Sequence, residues 1–219
     1  RQFTAGMDAT TASIYLPDKT GTLMSNLDED QAIGLLKTRA GYATCGHYPT
    51  GNPILSLGQY VQTAGQKYIV ASDGTSIYAS QDCNYWEAVA TGLPKDYYQL
   101  ETINNKLWAV SQSTEAIVWD GTNTQYMNTA ATSNPPKAKY ILGWNSRVWL
   151  ANTIDNPSSV WFSVLVDTAG TQIDPTAPGA FNALYQIYVN PSDGGQITRI
   201  YPFRGNLLIF KDTGIWFLQ

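Results

Sequence analysis

Three observations predict an all-β protein. Short runs of apolar, aromatic and β-branched residues recur along the chain, and Gly, Asn and Asp pairs of the kind that hairpin turns require separate them. Only 14% of the 219 residues are charged while 12% are aromatic, and eighteen glycines and eleven prolines favour many turns over long surface helices. A chain of this length can bury a sizeable core.

Residues 1–45 carry the weakest pattern. The run TTASIYL at 10–16 reads as a strand, and 28–37 has a faintly helical spacing that Gly34 undermines. This part is expected to form an extended N-terminal arm with one or two strands. A polar loop, GHYPTGNP at 46–53, follows.

From there to residue 219 the same phrase recurs: strand, tight turn, apolar strand, polar turn, strand, outer strand. In the first repeat the strands are 59–61, 67–70, 76–79 and 86–89, with turns at Ala64-Gly65 and Asp73-Gly74. The second has 97–103, 107–110, 117–119 and 125–127, turning at Asn104-Asn105 and Asp120-Gly121. In the third, 140–144, 148–150 and 160–162 turn at Asn145-Ser146, and an insertion rich in Thr, Ala, Gly and Pro, residues 167–183, precedes the outer strand at 184–189. The last has 197–203, a Gly205-Asn206 turn, 207–210 and 215–218, and no outer strand. Because the chain starts at Arg1 without an initiator Met and stops inside an apolar run, further polypeptide is expected.

Lys67, Lys106 and Arg147 occupy equivalent points, a period of about 40 residues that suits the blades of a β-propeller. The second strand of each repeat, LWAV at 107–110 or LLIF at 207–210, is apolar at consecutive positions. A sheet wetted on one face would alternate apolar with polar, so both faces of these strands should be dry. Blades stacked around an axis meet that requirement, with seven tryptophans filling the outer radius. A two-sheet sandwich with recurrent hairpins is the alternative. The expectation is four-stranded antiparallel blades over 46–219, three complete and the last lacking its outer strand.

Composition also narrows function. A net charge of -4 and a pI near 4.8 argue against a protein that grips duplex DNA through clustered Lys and Arg. No apolar run approaches the ~18 residues of a membrane-spanning helix, so a soluble protein is expected. Cys45 and Cys83 lack the spacing of a zinc site and are expected to be reduced and buried.

No catalytic constellation emerges. His47 is the only histidine, it lies in the polar loop, and no G-x-S-x-G elbow accompanies it. Asp28, Glu29 and Asp30 read as a solvated charge cluster, and Asp73 and Asp120 as turn residues that bond local backbone. Asp82, Glu87 and Glu101 could converge as a glycosidase-type acid pair, though no spacing demands it. Arg39, Arg147 and Arg199 are too scattered for a carboxylate-binding cluster. Tyr97, Tyr98, Phe181 and Tyr185 could stack on sugars, with core packing the commoner use. No catalytic residue, cofactor site or metal site is assigned, and no enzymatic activity is expected.

Ser80-Gln-Asp-Cys-Asn-Tyr-Trp86 resembles the Asp-box turn of sialidase-like propellers, with Asn84 in place of glycine and one residue fewer. The stretch from Gly194 through Pro202, Phe203, Leu207, Leu208, Ile209, Phe210 and Lys211 to Trp216 resembles a phrase of tailed-bacteriophage virion proteins of the tail-nozzle, tail-tubular and neck-stabilising type. Lys37, Arg39, Gly41 and Tyr42 match that family's N-terminal Leu-x-Lys-Arg-Pro-Gly-Tyr signature, with Ala40 where proline is usual. Residues 144–151 and 156–163 are similar to one of its blades.

The resemblance implies a structural β-propeller of a phage tail or neck, made in the host bacterial cytoplasm and carried in the virion. It would assemble with copies of itself and other tail or neck proteins into a ring around the DNA exit channel. Genomic DNA would pass without specific binding, as an acidic lumen allows. The alternative function is a carbohydrate-binding or glycan-cleaving propeller acting in receptor recognition.

Overall fold

A computed structural model of the chain describes residues 27–29 and 36–38 by their backbone, and 46–62, 64–127, 135–164, 175–176, 179–182 and 184–219 in full. The chain divides into two compact units, Arg1–Thr44 and Cys45–Gln219. In the first, β1 (Leu27–Glu29) pairs antiparallel with β2 (Leu36–Thr38), so the stretch with the faint helical spacing holds strands instead. The expected strand at 10–16 lies outside the described residues.

The second unit is all-β and antiparallel. Four sheets follow one another, each a simple meander in which every strand pairs with its neighbour in sequence. The first contains β3 (Ser56–Val61), β4 (Lys67–Ser72), β5 (Ile77–Ser80) and β6 (Glu87–Ala90). The second contains β7 (Gln99–Ile103), β8 (Lys106–Val110), β9 (Ile117–Trp119) and β10 (Thr124–Tyr126). In the third are β11 (Ala138–Trp144), β12 (Arg147–Thr153), β13 (Ser159–Phe162) and β14 (Gln186–Tyr188). The fourth has three strands, β15 (Ile197–Phe203), β16 (Asn206–Lys211) and β17 (Gly214–Leu218). A single 3₁₀ turn, Pro191–Asp193, is the only helical element among the described residues of this unit, and no described helix is long and apolar enough to cross a membrane.

Local chemistry explains the hairpins. Asn104 and Asn105, Asn145 and Ser146, and Arg204 and Gly205 all have positive φ, the condition for two-residue turns whose twist matches the strands. The last pair sits one residue earlier than the sequence suggests, because Phe203 pairs with Asn206 across the ladder and leaves Arg204 at the corner.

The consecutive apolar residues divide between two faces. In β8, Leu107 and Ala109 join Tyr60, Tyr68, Val70 and Trp119 in a seam between the first and second sheets. Trp108 and Val110 point the other way, into a seam with Ile141, Val148, Leu150 and Phe181 of the third-sheet region. β12 does the same: Val148 and Leu150 face back, while Trp149 and Ala151 pack forward against Ile197, Ile200, Leu207 and Ile209. The second and third sheets are thus dry on both faces, as the sequence pattern predicts.

First strands lie closest to the next sheet's first strand. A Cβ on Gly58 of β3 would come within 2.8 Å of Leu100 Cβ in β7, and one on Gly143 of β11 within 3.0 Å of Ile103 in β7. At Gly58 only glycine allows the approach, and at Gly143 a larger residue would require the Ile103 side chain to give way. Side chains complete the joints: Thr102 Oγ1 donates to Gln59 O (2.7 Å), Gln99 forms a two-point bond with the backbone of Ile141 (2.9 and 3.0 Å), and Asn152 Nδ2 donates to Ile197 O (2.8 Å).

Candidate functional site

The polar loop at 46–53 is clamped to the first sheet. Asp73, in the turn between β4 and β5, accepts the N–H groups of Thr75 and Ser76 through Oδ1, and Thr50 Oγ1 and Asn52 Nδ2 through Oδ2. Burial pushes its carboxyl up, but bonds from Thr50, Asn52 and Thr75 outweigh that and hold it far below the usual carboxylate range. Tyr48 lies edge-on to Tyr78 and Trp86, and its hydroxyl reaches the carbonyls of Ala71 and Ser76. Burial, with the Asp73 charge, pushes that phenol well up. His47, in the same loop, is exposed.

The turn between β5 and β6 has the hydrogen-bond pattern of a stabilising Asx loop. Asp82 Oδ1 accepts the N–H groups of Asn84 and Tyr85, which lower its pKa, while Ser80 Oγ accepts from Cys83 N and donates to Tyr85 O. Cys83, at φ +66°, is disulfide-bonded, which corrects the expectation of reduced thiols. Cys45 is the only other cysteine of the chain. Linear spacing concealed the proximity: Gly46 packs so tightly on the Cys83 carbonyl that a Cβ would lie 1.8 Å from that oxygen.

The three carboxylates singled out from the sequence do not form one group. Asp82 and Glu87 border a 290 Å³ cleft with Gln81, Tyr68 and Tyr85, the last 75% exposed. Glu101 sits on β7 of the second sheet, where burial raises its pKa and the Arg199 charge partly offsets the rise. Arg199 belongs to the fourth sheet. Arg147 Nη1 donates to Ser163 O, and its guanidinium lies 5.0 Å from the Phe162 ring centre. Of the aromatics considered for sugar stacking, Tyr98 and Phe181 are core residues, Tyr185 stacks on Phe162, and Tyr97 is exposed. Asp120 Oδ1 caps its own turn by accepting from Thr122 N and Asn123 N.

The residues that carry the phage-like phrase are structural. Leu207 and Ile209 are buried in the third seam, Leu208 and Phe210 occupy the opposite face of β16, and Pro202 faces Leu207 across the ladder. Phe203 is half exposed. Lys211 is fully buried: its ammonium donates to Val189 O (2.9 Å), Asn190 O (3.0 Å) and the Asp193 carboxylate, and lies 5.2 Å from the centre of the Trp216 ring. That bond, with donation from Gly195 N and Thr213 Oγ1, lowers Asp193 to about 2. Lys37 is in β2, and Arg39, Gly41 and Tyr42 lie outside the described residues, as does most of the 167–183 insertion.

Sequence reasoning overlooked two connecting groups. Asp193, four residues before the first strand of the fourth sheet, is visible only as part of an Asn-Pro-Ser-Asp-Gly-Gly turn. Asn152, buried at φ +57°, takes two bonds from Gln112 of the second-sheet region and gives one to Ile197 of the fourth. Among the described residues, no group of three or more His, Cys, Asp or Glu could hold a metal ion. No family model matches the chain, and no curated protein matches it in sequence.

Proposed function

We propose that this chain is a β-propeller segment serving as a structural part of a phage tail or neck, assembled with copies of itself and with other virion proteins around the passage for the genome. One observation carries the propeller reading: successive sheets pack face to face with their first strands in closest approach, Gly58 of β3 on Leu100 of β7 and Gly143 of β11 on Ile103 of β7. Sheets that fan out from converging first strands give that arrangement. The phrase from Gly194 to Trp216 supports the phage assignment, and the net charge of -4 suits a channel along which DNA slides.

Antibodies raised against the chain, used for immunogold labelling of the phage that encodes it, are expected to mark the neck or tail. Particles without gold at either place overturn the assignment.

A second reading, glycan recognition, draws on Tyr85. An exposed phenol beside Gln81, Asp82 and Glu87 at the rim of a cleft combines a stacking face with hydrogen-bonding groups. Glycan-array binding that Tyr85→Ala abolishes would favour it, and a blank array would remove it.

A further inference from the structure

We infer that the 46–53 loop is a redox-operated strap. With the Cys83 disulfide closed it is fastened over an aromatic patch of the first sheet, and with the bond open its leading end lifts off that patch. The strap stands on the geometry alone, and only the setting in which it switches rests on the proposed assembly of the chain into a particle.

The loop crosses one face of the first sheet from end to end. Tyr78 alternates with Ile77 and Ala79, which fill the seam with the second sheet, so Tyr78 faces away from that seam. Tyr48 packs there, its ring centre 5.3 Å from that of Tyr78 and 5.6 Å from that of Trp86, and its hydroxyl donates to Ala71 O (3.3 Å) and Ser76 O (3.1 Å). Beyond Tyr48 the strap is tied to the turn between β4 and β5, where Thr50 and Asn52 donate to Asp73 Oδ2 at 2.6 and 3.0 Å. Before Tyr48 it is tied to the turn between β5 and β6, at the opposite end of the sheet. There Gly46 lies on the Cys83 carbonyl and Cys83 is disulfide-bonded, with Cys45, the residue just before the loop, the only other cysteine of the chain.

The two ties differ in kind. Hydrogen bonds to a carboxylate hold the Asp73 end in either redox state. At the Cys83 end the covalent bond stands nearly alone: among the described residues neither Gly46 nor His47 makes a hydrogen bond to the sheet. Gly46 at φ +59° and Cys83 at φ +66° both take left-handed conformations where they meet, and for a residue with a side chain that conformation is costly. Opening the bond therefore frees the strap as far as Tyr48 and leaves it hinged at Asp73.

Cys83 is half-buried between exposed Asp82 and Asn84, within reach of a small thiol. A thiolate attacks one sulfur and breaks the S–S bond, and a second thiolate resolves the mixed disulfide. The two electrons delivered leave two protein thiols and one small-molecule disulfide. The return step consumes a disulfide such as oxidised glutathione and releases two small thiols. A bacterial cytoplasm keeps thiols reduced and the medium outside does not. A chain made in the first and carried into the second assembles with its strap free and is fastened afterwards.

Hydroxyl-radical footprinting read by peptide mass spectrometry tests the strap. The samples are the oxidised chain, the chain reduced with dithiothreitol and desalted under nitrogen, the reduced chain closed again with oxidised glutathione, and a Cys45→Ser, Cys83→Ser double variant that has no thiol to scavenge the radical. Reduction and the double variant should each raise labelling of Tyr48 and Trp86 by about twofold or more, while the core rings Tyr98 and Trp108 stay unlabelled. Closing the bond again should restore the first pattern. Equal labelling of Tyr48 and Trp86 in both states overturns the inference, because the strap would then lie down without its bond. So does labelling that rises at Tyr98 and Trp108 as well, or a reduced chain that loses its far-UV circular dichroism, since the bond would then hold the whole fold and not the strap. Immunogold labelling is independent: marked particles with a strap that stays down would remove this inference and leave the phage role standing.

Discussion

Leu107 and Trp108 are neighbours in β8, yet they serve different seams. Leu107 is 1% exposed against the first sheet and Trp108 fully buried against the third. In a sheet with one wet face, truncating one of two adjacent residues would fall within about 0.5 kcal/mol of wild type. Here both truncations should be costly. Leu107→Ala removes a packed side chain at an expected cost of about 2–5 kcal/mol. Trp108→Ala removes more volume, but the Trp108 indole N–H has no hydrogen-bond partner, and its loss relieves an unpaired buried donor. The net expectation is about 2–4 kcal/mol, below the usual range for a buried tryptophan. Either loss is a large share of the ~5–15 kcal/mol that holds a domain together. Equilibrium urea unfolding followed by far-UV circular dichroism reads both changes, since Trp108→Ala would confound a fluorescence probe. A cost under about 1 kcal/mol at either position would refute the doubly covered sheet.

Further outcomes follow from other contacts. Gly58→Val would drive a side chain into Leu100 where β3 meets β7, and should lower stability by about 1–3 kcal/mol in the same urea assay. Reducing the Cys83 disulfide should lower it by about 2–4 kcal/mol, read as a fall in melting temperature with dithiothreitol that Cys83→Ser, already without the bond, does not show. Asp73 and Asp193 both have depressed folded-state pKa values, so their contribution is complete above the unfolded carboxylate value near 4 and is lost as pH falls toward about 2. Melting curves between pH 7 and 2.5 should be flatter for Asp73→Asn and Asp193→Asn than for wild type, and identical slopes would contradict the assignment.

Legibility in the sequence followed the range of the forces involved. Strands and hairpins are set by residues a few positions apart, so Asn104-Asn105 and the LWAV run could be placed from local pattern alone, and the two dry faces followed from the absence of alternation. Arg204 entered its turn unannounced, because a neighbouring glycine and asparagine offer the same local chemistry one residue later. What depends on long-range approach stayed hidden. Nothing near Cys83 marks it as bridged, and nothing near Glu101 signals an arginine almost a hundred residues away. The surface-loop placement of His47 and the turn roles of Asp73 and Asp120 rested on short-range chemistry, and the exposed His47 side chain and the capped turns agree with it.

Because every strand in the second unit pairs with its neighbour in sequence, the order of assembly is written into the chain. Contact order is low for a β protein, which favours rapid formation of each meander before it meets the next. Each sheet then draws its protection from the ones beside it, in the manner of a repeat array. The second and third sheets, held from two sides, should exchange their amide hydrogens slowest.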